Sequence, residues 1–277
     1  MRSIGIDIGG TKTSIGIIDN KTGKITSKII IPSKKYKNDK KNLNAIIKNA
    51  LILSNKNNIK FIGIGVPELI NNKGIIKGKY NFNWYNKNLV NYFPKNLKVS
   101  IDSDVRCHLR AEKYFGIAKN FKNFIYVNIG TGLSYAHYKD NKIYSGANGY
   151  AIHFASSKIN LFDWKKNKKI SLIPEDFYSG KALLEVMKKN HNVNKQKKLL
   201  NNIADSLASL IGSLINTIDP ANVIFGGGVV INNLYFKKML IKYTRNYILA
   251  DEVKKIKILT SKLKDNTGLL GAGLKFK

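Results

Sequence analysis

Several short stretches of this chain end an apolar run in glycine and hydroxyl residues, and one ends in acid. The first is Asp7-Ile-Gly-Gly-Thr-Lys-Thr13, preceded by Ile4, Ile6 and Ile8 in strand alternation. Gly9 and Gly10 carry no Cβ to hold an anion away from the backbone, and they permit the positive φ angles that turn successive N–H groups toward one phosphate. Thr11, Lys12 and Thr13 add hydroxyl and ammonium donors, and Asp7 is placed to hold a hydrated Mg²⁺. The same residues also suit a plain hairpin turn, since Ser14 to Asp19 continues as a strand, and one turn can serve both purposes. Phe124 to Ile129 runs into Gly130-Thr131-Gly132, and Val223-Ile224-Phe225 into Gly226-Gly227-Gly228, repeating the design. Val99 to Ile101 ends instead in Asp102-Ser103-Asp104. A carboxylate at such a corner caps the following helix for about 1 kcal/mol, or acts as a base aimed by a rigid strand. On those residues alone the cap is the simpler reading.

The elements that must position these groups follow from periodicity. After the opening hairpin, Lys24 to Ile31 reads as a third strand, and Leu43, Ile46, Ile47, Ala50, Leu51 and Leu53 recur at helical spacing over 40–55. Phe61-Ile-Gly-Ile-Gly-Val-Pro67 is a short buried strand, so the order β-β-β-α-β begins a mixed sheet with helical cover. Residues 71–100 are loop-rich. A helix with Ser103 or Asp104 at its N-cap follows, then strands at 124–129 and 133–138 and a hairpin closing at 143–149. Lys158 to Lys169 reads as an exposed basic loop, and Ile203 to Ile218 as one face of a long helix stopped by Asp219-Pro220. Ile256 to Leu259 is a last strand, and Asn266 to Leu274 a closing helix of small residues.

With 277 residues the chain has room for two cores. No apolar run approaches a membrane span, and the first strand begins within three residues of Met1, so the expected setting is the cytoplasm, without a signal peptide or membrane partner. The single cysteine, Cys107, excludes an internal disulfide and a cysteine-cluster zinc site. The net charge of +31 would draw polyanions. Its lysines are spread along the chain rather than gathered with arginine and aromatics on one element, which speaks against specific nucleic-acid binding.

Taken in order, Asp7 to Thr13, Gly63-Ile-Gly-Val-Pro67, Asp104, Gly130-Thr-Gly132, Asp219-Pro220 through Gly228, and Gly268-Leu-Leu-Gly-Ala272 resemble the sugar kinases of the ROK group. That resemblance spans nearly the whole chain and rests on order and spacing. It implies an α/β, two-lobed actin/Hsp70/hexokinase-like (ribonuclease H-like) fold of mixed sheets with helices, closing on ATP. The lobes would be 1–104, completed by 265–277, and 105–264. It further implies Asp7, Gly9, Gly10, Thr11 and Lys12 around the β- and γ-phosphates, with Asp7 facing Mg²⁺ through water. Gly130, Thr131 and Gly132 would clasp the same phosphates, Gly226, Gly227 and Gly228 would lie against adenosine, and Asp104 would be the base. Asn81, Ser103 and Glu175 would line a hexose or N-acetylhexosamine phosphorylated at the 6-hydroxyl, although each also has a plain structural reading as turn, cap or helix start. A homodimer is compatible with this.

The chain also departs from the group's pattern. Ser103 stands where Asn usually precedes the catalytic Asp, and Leu133-Ser134-Tyr135 replaces further glycines. The usual Ala-Gly-Glu-Ile-Gly-His run falls on Ala151-Ile-His-Phe-Ala-Ser156, placing His153 at the Glu and Ser156 at the His. The cysteine-rich zinc segment is replaced by the basic loop, so no structural zinc is expected. His153 is a candidate sugar contact with a structural alternative. Two other readings stay open: a sugar-binding sensor with impaired catalysis, expected not to be a DNA-binding repressor because the first strand begins within three residues of Met1, and a kinase using polyphosphate as donor.

Overall fold

The computed structural model describes residues 1–189 and 192–274. In chain order the elements are β1 (Arg2–Ile8), β2 (Lys12–Asp19), β3 (Ile25–Pro32), α1 (Asp39–Asn57), β4 (Phe61–Val66), β5 (Lys98–Ser103), α2 (Asp104–Tyr114), β6 (Phe124–Ile129), β7 (Leu133–Lys139) and β8 (Lys142–Tyr144). They continue as β9 (Ile159–Asp163), β10 (Lys168–Leu172), α3 (Pro174–Tyr178), α4 (Gly180–Lys189), α5 (Val193–Ile218), β11 (Asn222–Gly226), α6 (Gly228–Asn232), α7 (Leu234–Asn246), α8 (Asp251–Lys254), β12 (Lys257–Thr260) and α9 (Thr267–Gly273).

The chain forms two compact units. The first comprises Met1–Phe121, Ala136–Ala151 and the stretch from Asp265; the second comprises Lys122–Tyr135 and Ile152–Lys264. The first unit therefore contains α2 and 136–151, beyond the boundary at 104 expected from the sequence. Residues 275–277 of the expected closing segment lie outside the described residues. The physical tie is α9, whose Gly271 lies so close to α2 that a Cβ there would collide with the Cys107 carbonyl.

In the first unit a sheet of order β3-β2-β1-β4-β5 has β1, β4 and β5 parallel and β2 and β3 antiparallel to their neighbours. The register sets Ile4 beside Ile17 and Ile62, so branched side chains alternate into the core. Helix α1 lays Leu43, Ile46, Ala50 and Leu53 on that core, each worth up to about 1.5–3 kcal/mol for the larger side chains. Asn38 caps its start by accepting from Lys40 and Lys41, and Asn58 ends it in a left-handed conformation. Gly63 is required where β4 meets α9, since a Cβ would strike the Ala272 carbonyl.

In the second unit β6, β11 and β12 run parallel, with Val223 opposite Ile125 and Ile258. They belong to a sheet of order β12-β11-β6-β7-β8. Helix α5 covers these strands with Leu200, Ile203, Leu207, Ile211 and Ile215, which pack in one cluster with Val223 and Phe225. The expected basic loop at 158–169 is instead a hairpin, β9 with β10, pairing Leu161 with Ile170 and Asp163 with Lys168. Alternating apolar residues on both arms support it, and the lysine run that suggested a loop is divided between the turn, with Lys165 and Lys166, and the exposed start of β10, with Lys168 and Lys169. Helix α7 was not expected; Phe236 and Leu240 anchor it.

Candidate functional site

Strand β1 carries Asp7 just before its last residue, Ile8, and returns through Gly9, Gly10 and Thr11 into β2, so the opening stretch is a hairpin and a donor-rich loop at once. Gly9 donates its N–H to the Lys12 carbonyl at 2.9 Å, and Thr11 accepts from the Ser33 N–H at 2.9 Å. Neither Gly9 nor Gly10 takes a left-handed φ, contrary to the expectation from the sequence. Their small size answers to close neighbours: a Cβ at Gly9 would lie 2.9 Å from the Lys12 carbonyl oxygen, and one at Gly10 would lie 3.1 Å from Asn81 Oδ1. Asn81, distant in sequence, thus lies beside the loop.

Asp7 itself is partly buried, and Gly268 of α9 sits against its carboxylate so tightly that a Cβ would not fit at 2.5 Å. Burial raises the Asp7 carboxyl to about 6, Lys28 and Lys12 lower it, and Asp265 raises it further. Lys12 reaches Asp265 at 3.4 Å across exposed surface, a pair worth little. A carboxylate whose burial outweighs two nearby ammonium groups is one that a divalent cation would relieve, so Asp7 fits a hydrated Mg²⁺. Among the described residues no group of three or more His, Cys, Asp or Glu gathers to hold a metal by protein ligands alone.

Asp104 opens α2, accepts from its neighbour Val105 N–H at 2.7 Å, and keeps some contact with solvent. Burial raises its carboxyl to about 7; the negative charge of Asp7 raises it next, the Val105 N–H and Arg106 oppose the rise, and Glu68 adds to it. A carboxyl poised near neutral pH is suited to exchange a proton with an alcohol. Ser103 is the N-cap residue, yet its hydroxyl makes no capping bond; Oγ is buried without a hydrogen-bond partner. Of the two N-cap candidates, Ser103 takes the position without a side-chain bond, and it is the carboxylate of Asp104 that accepts a first-turn N–H, that of Val105.

Two groups of buried charge position this end of the unit. Asp102 bonds Arg106 Nε at 2.6 Å and Arg110 Nη2 at 2.5 Å, and the arginines in turn donate to the carbonyls of Gly149 and Gly271 at 2.9 and 3.0 Å. Arg106 and Arg110 stand four apart on one face of α2 and turn back onto Asp102 near the end of β5, a spacing legible in the sequence but overshadowed by Asp104. Glu68, also buried, accepts N–H groups from Tyr80, Asn81 and Phe82. Nothing local in the sequence marks it, since its partners are backbone amides twelve to fourteen residues away.

The second unit gathers its own cluster. Gly130 accepts from the Gly180 N–H at 2.8 Å and donates to the Gly132 carbonyl at 3.1 Å, closing the turn around exposed Thr131. Glu175 Oε1 accepts from the Leu133 N–H at 2.6 Å, and a Cβ at Gly132 would collide with that oxygen. Gly227 takes φ +90° and lies against the Ile129 carbonyl and Gly130 N–H, so the two glycine turns of this unit abut; Gly226 is packed under the Tyr126 hydroxyl and Gly228 stands open. His153 Nδ1 is 3.0 Å from Ser156 Oγ. Burial holds the His153 imidazole below its ordinary value, and the charge of Glu175 pulls it back up. The residue pair that departs from the resemblance is thus mutually hydrogen-bonded, within electrostatic reach of Glu175.

The chain is similar to known proteins along most of its length. It is 22% identical over 305 aligned positions to a glucokinase of Thermotoga maritima, covering 98% of this chain and 96% of that one. It is 26% identical over 241 positions to a xylose repressor of Caldicellulosiruptor bescii, covering 76% of this chain and 60% of the repressor. A ROK family glucokinase from Streptomyces griseus, solved in complex with glucose and AMPPNP, superposes with a TM-score of 0.84 at 21% identity over 99% of this chain and 98% of that one. The α/β fold is the actin/Hsp70/hexokinase-like fold of such structures. Because the ROK family profile matches residues 3–277 in one continuous span, the chain belongs to the ROK family.

Proposed function

We propose that this chain is an ATP-dependent sugar kinase that phosphorylates a hexose or N-acetylhexosamine at its 6-hydroxyl, with Asp104 as the base. The observation that carries the reading is Asp104 itself: a partly exposed carboxylate at a strand-to-helix corner, raised to about 7 and electrostatically coupled to Asp7. Phosphoryl transfer asks a protein chiefly for alignment and charge neutralisation, with one group to receive the hydroxyl proton. Asp104 receives that proton on its outer oxygen, since Oδ1 is engaged by Val105. Asn81, next to Gly10, would hold the sugar beside the phosphate loop through its amide oxygen. Lys12 and the N–H groups of the Gly9–Thr11 turn would bind the β- and γ-phosphates, and Mg²⁺ held through water by Asp7 would neutralise charge on them. In the second unit, Gly130, Thr131 and Gly132 are assigned to the phosphates, Gly226, Gly227 and Gly228 to adenosine, and Glu175 and His153 to the sugar. Use of ATP fits a cytoplasmic setting, and among the described residues no helix is long and apolar enough to cross a membrane.

Two observations favour alternatives. The bond between His153 and Ser156, at positions where the resemblance calls for Glu and His, supports a sugar-binding member with weak catalysis. The net charge of +31 supports polyphosphate as donor. Coupled ADP release over hexoses, N-acetylhexosamines and ketoses tests the kinase reading: one sugar should stimulate release many-fold, and stimulation by none would end it. Direct detection of the sugar phosphate with each donor across a salt series separates ATP from polyphosphate, because binding of the longer polyanion should weaken steeply with ionic strength.

A further inference from the structure

We propose that Glu68 is a positioning residue whose buried carboxylate sets the sugar-facing geometry of Asn81 by gathering three successive backbone N–H groups. This rests on the kinase reading for Asn81. Glu68 follows Pro67 at the end of β4 and is 3% exposed. Its Oε1 accepts from the Asn81 N–H at 2.6 Å and the Phe82 N–H at 3.0 Å, and Oε2 accepts from the Tyr80 N–H at 3.1 Å. A buried carboxylate is costly unless it is paired or fully hydrogen-bonded, and here amide dipoles supply the compensation. The room for it is built in, since a Cβ at Gly78 would collide with Oε2.

The consequence falls on one side chain. With its own N–H held by Glu68, Asn81 donates Nδ2 to the Pro67 carbonyl at 2.8 Å, which commits the amide nitrogen and leaves Oδ1 toward Gly10. The far side of the segment is tied to α1: Asn83 N–H donates to Asp39 Oδ2 at 2.7 Å, Trp84 Nε1 to the Asp39 carbonyl at 3.2 Å, and Phe82 stacks on Trp84 at 4.1 Å. Residues 80–84 are thus clamped between Glu68 and Asp39, with Asn81 at the Glu68 end. An amide held at both its backbone and its side-chain nitrogen presents its oxygen in one orientation, and misplacement by about 1 Å costs up to about 100-fold in such sites.

Three measurements test this. In the wild-type chain without ligands, the amides of Tyr80, Asn81 and Phe82 should exchange with solvent at least about 100-fold more slowly than unprotected amides; exchange at the unprotected rate would overturn the cradle, whatever the chain's activity. Glu68→Gln, which keeps the volume but sets an NH₂ group against the N–H donors, should raise the sugar KM by about 10-fold or more with kcat and the ATP KM within about threefold. An unchanged sugar KM, or a loss shared equally by kcat and both KM values, would assign Glu68 to general stability and overturn the proposal. In an Asn81→Ala background Glu68→Gln should have little further effect on the sugar KM, because the two act as one unit; full additivity would overturn it. A wild-type chain that turns over no sugar removes the functional reading and, with it, the sugar role of Asn81, an outcome the amide-exchange result distinguishes from failure of the cradle.

Discussion

Replacing Asp104 with Asn should move stability and turnover in opposite directions. Oδ1 of Asp104 accepts the Val105 N–H, and an amide oxygen at the same place keeps that bond, so the start of α2 survives. What disappears is a negative charge that burial and Asp7 disfavour, enough to raise the carboxyl from an ordinary 3.8 to about 7. A carboxyl that holds its proton more tightly folded than unfolded favours the folded state at low pH, and that benefit is lost as pH rises from about 4 to about 7. At about 1.4 kcal/mol per pH unit the whole rise corresponds to about 4 kcal/mol. Asp104 keeps some contact with solvent, so about half of that is the working figure. Asp104→Asn is therefore expected to be about 2 kcal/mol more stable than wild type at pH 8 and close to wild type near pH 4, while losing about 10²- to 10⁴-fold in turnover. Urea unfolding at the two pH values and coupled ADP release at saturating sugar measure both. A variant less stable than wild type at pH 8, or one keeping a tenth of wild-type turnover, would refute the assignment of Asp104 as a partly desolvated base.

Other expectations follow from the same geometry. For the wild-type chain, kcat/KM for the sugar should fall about tenfold per pH unit below about 7 and level off above it, because only the carboxylate of Asp104 can take the hydroxyl proton; a flat profile from pH 5.5 to 8 would contradict this. Asp102→Asn strands the buried guanidiniums of Arg106 and Arg110 and should cost about 3–5 kcal/mol in urea unfolding, and a loss under about 1 kcal/mol would show that water already reaches them. Gly63→Ala should cost about 1–3 kcal/mol or more, since the new methyl meets the backbone carbonyl of Ala272. Gly228→Ala, whose new methyl would have the Asn232 side chain 3.8 Å away, should leave unfolding within about 0.5 kcal/mol.

Much of this protein is legible in its residues alone, and the reason is locality. Alternating isoleucines ending in Gly9-Gly10, Phe124–Ile129 ending in Gly130, Val223–Phe225 ending in Gly226 and the 3.6-residue rhythm of α1 each state their structure within a few neighbours. Asp104 was visible as well, because the strand-to-helix corner that aims it is a local event. The hairpin at 159–172 was hidden by its lysines, since charge reports on solvent more strongly than on backbone pairing. The close neighbours of the first glycine pair were also hidden: Lys12 and Asn81 approach Gly9 and Gly10, whose φ angles do not themselves demand glycine. What only the tertiary structure decided is how charge is housed. Burial raises Asp7 and Asp104, Asp102 is shared by two arginines, and Glu68 is satisfied by amides twelve to fourteen residues away. A sequence records which groups can ionise; the desolvation and the backbone donors that decide their chemistry exist only once distant segments pack together.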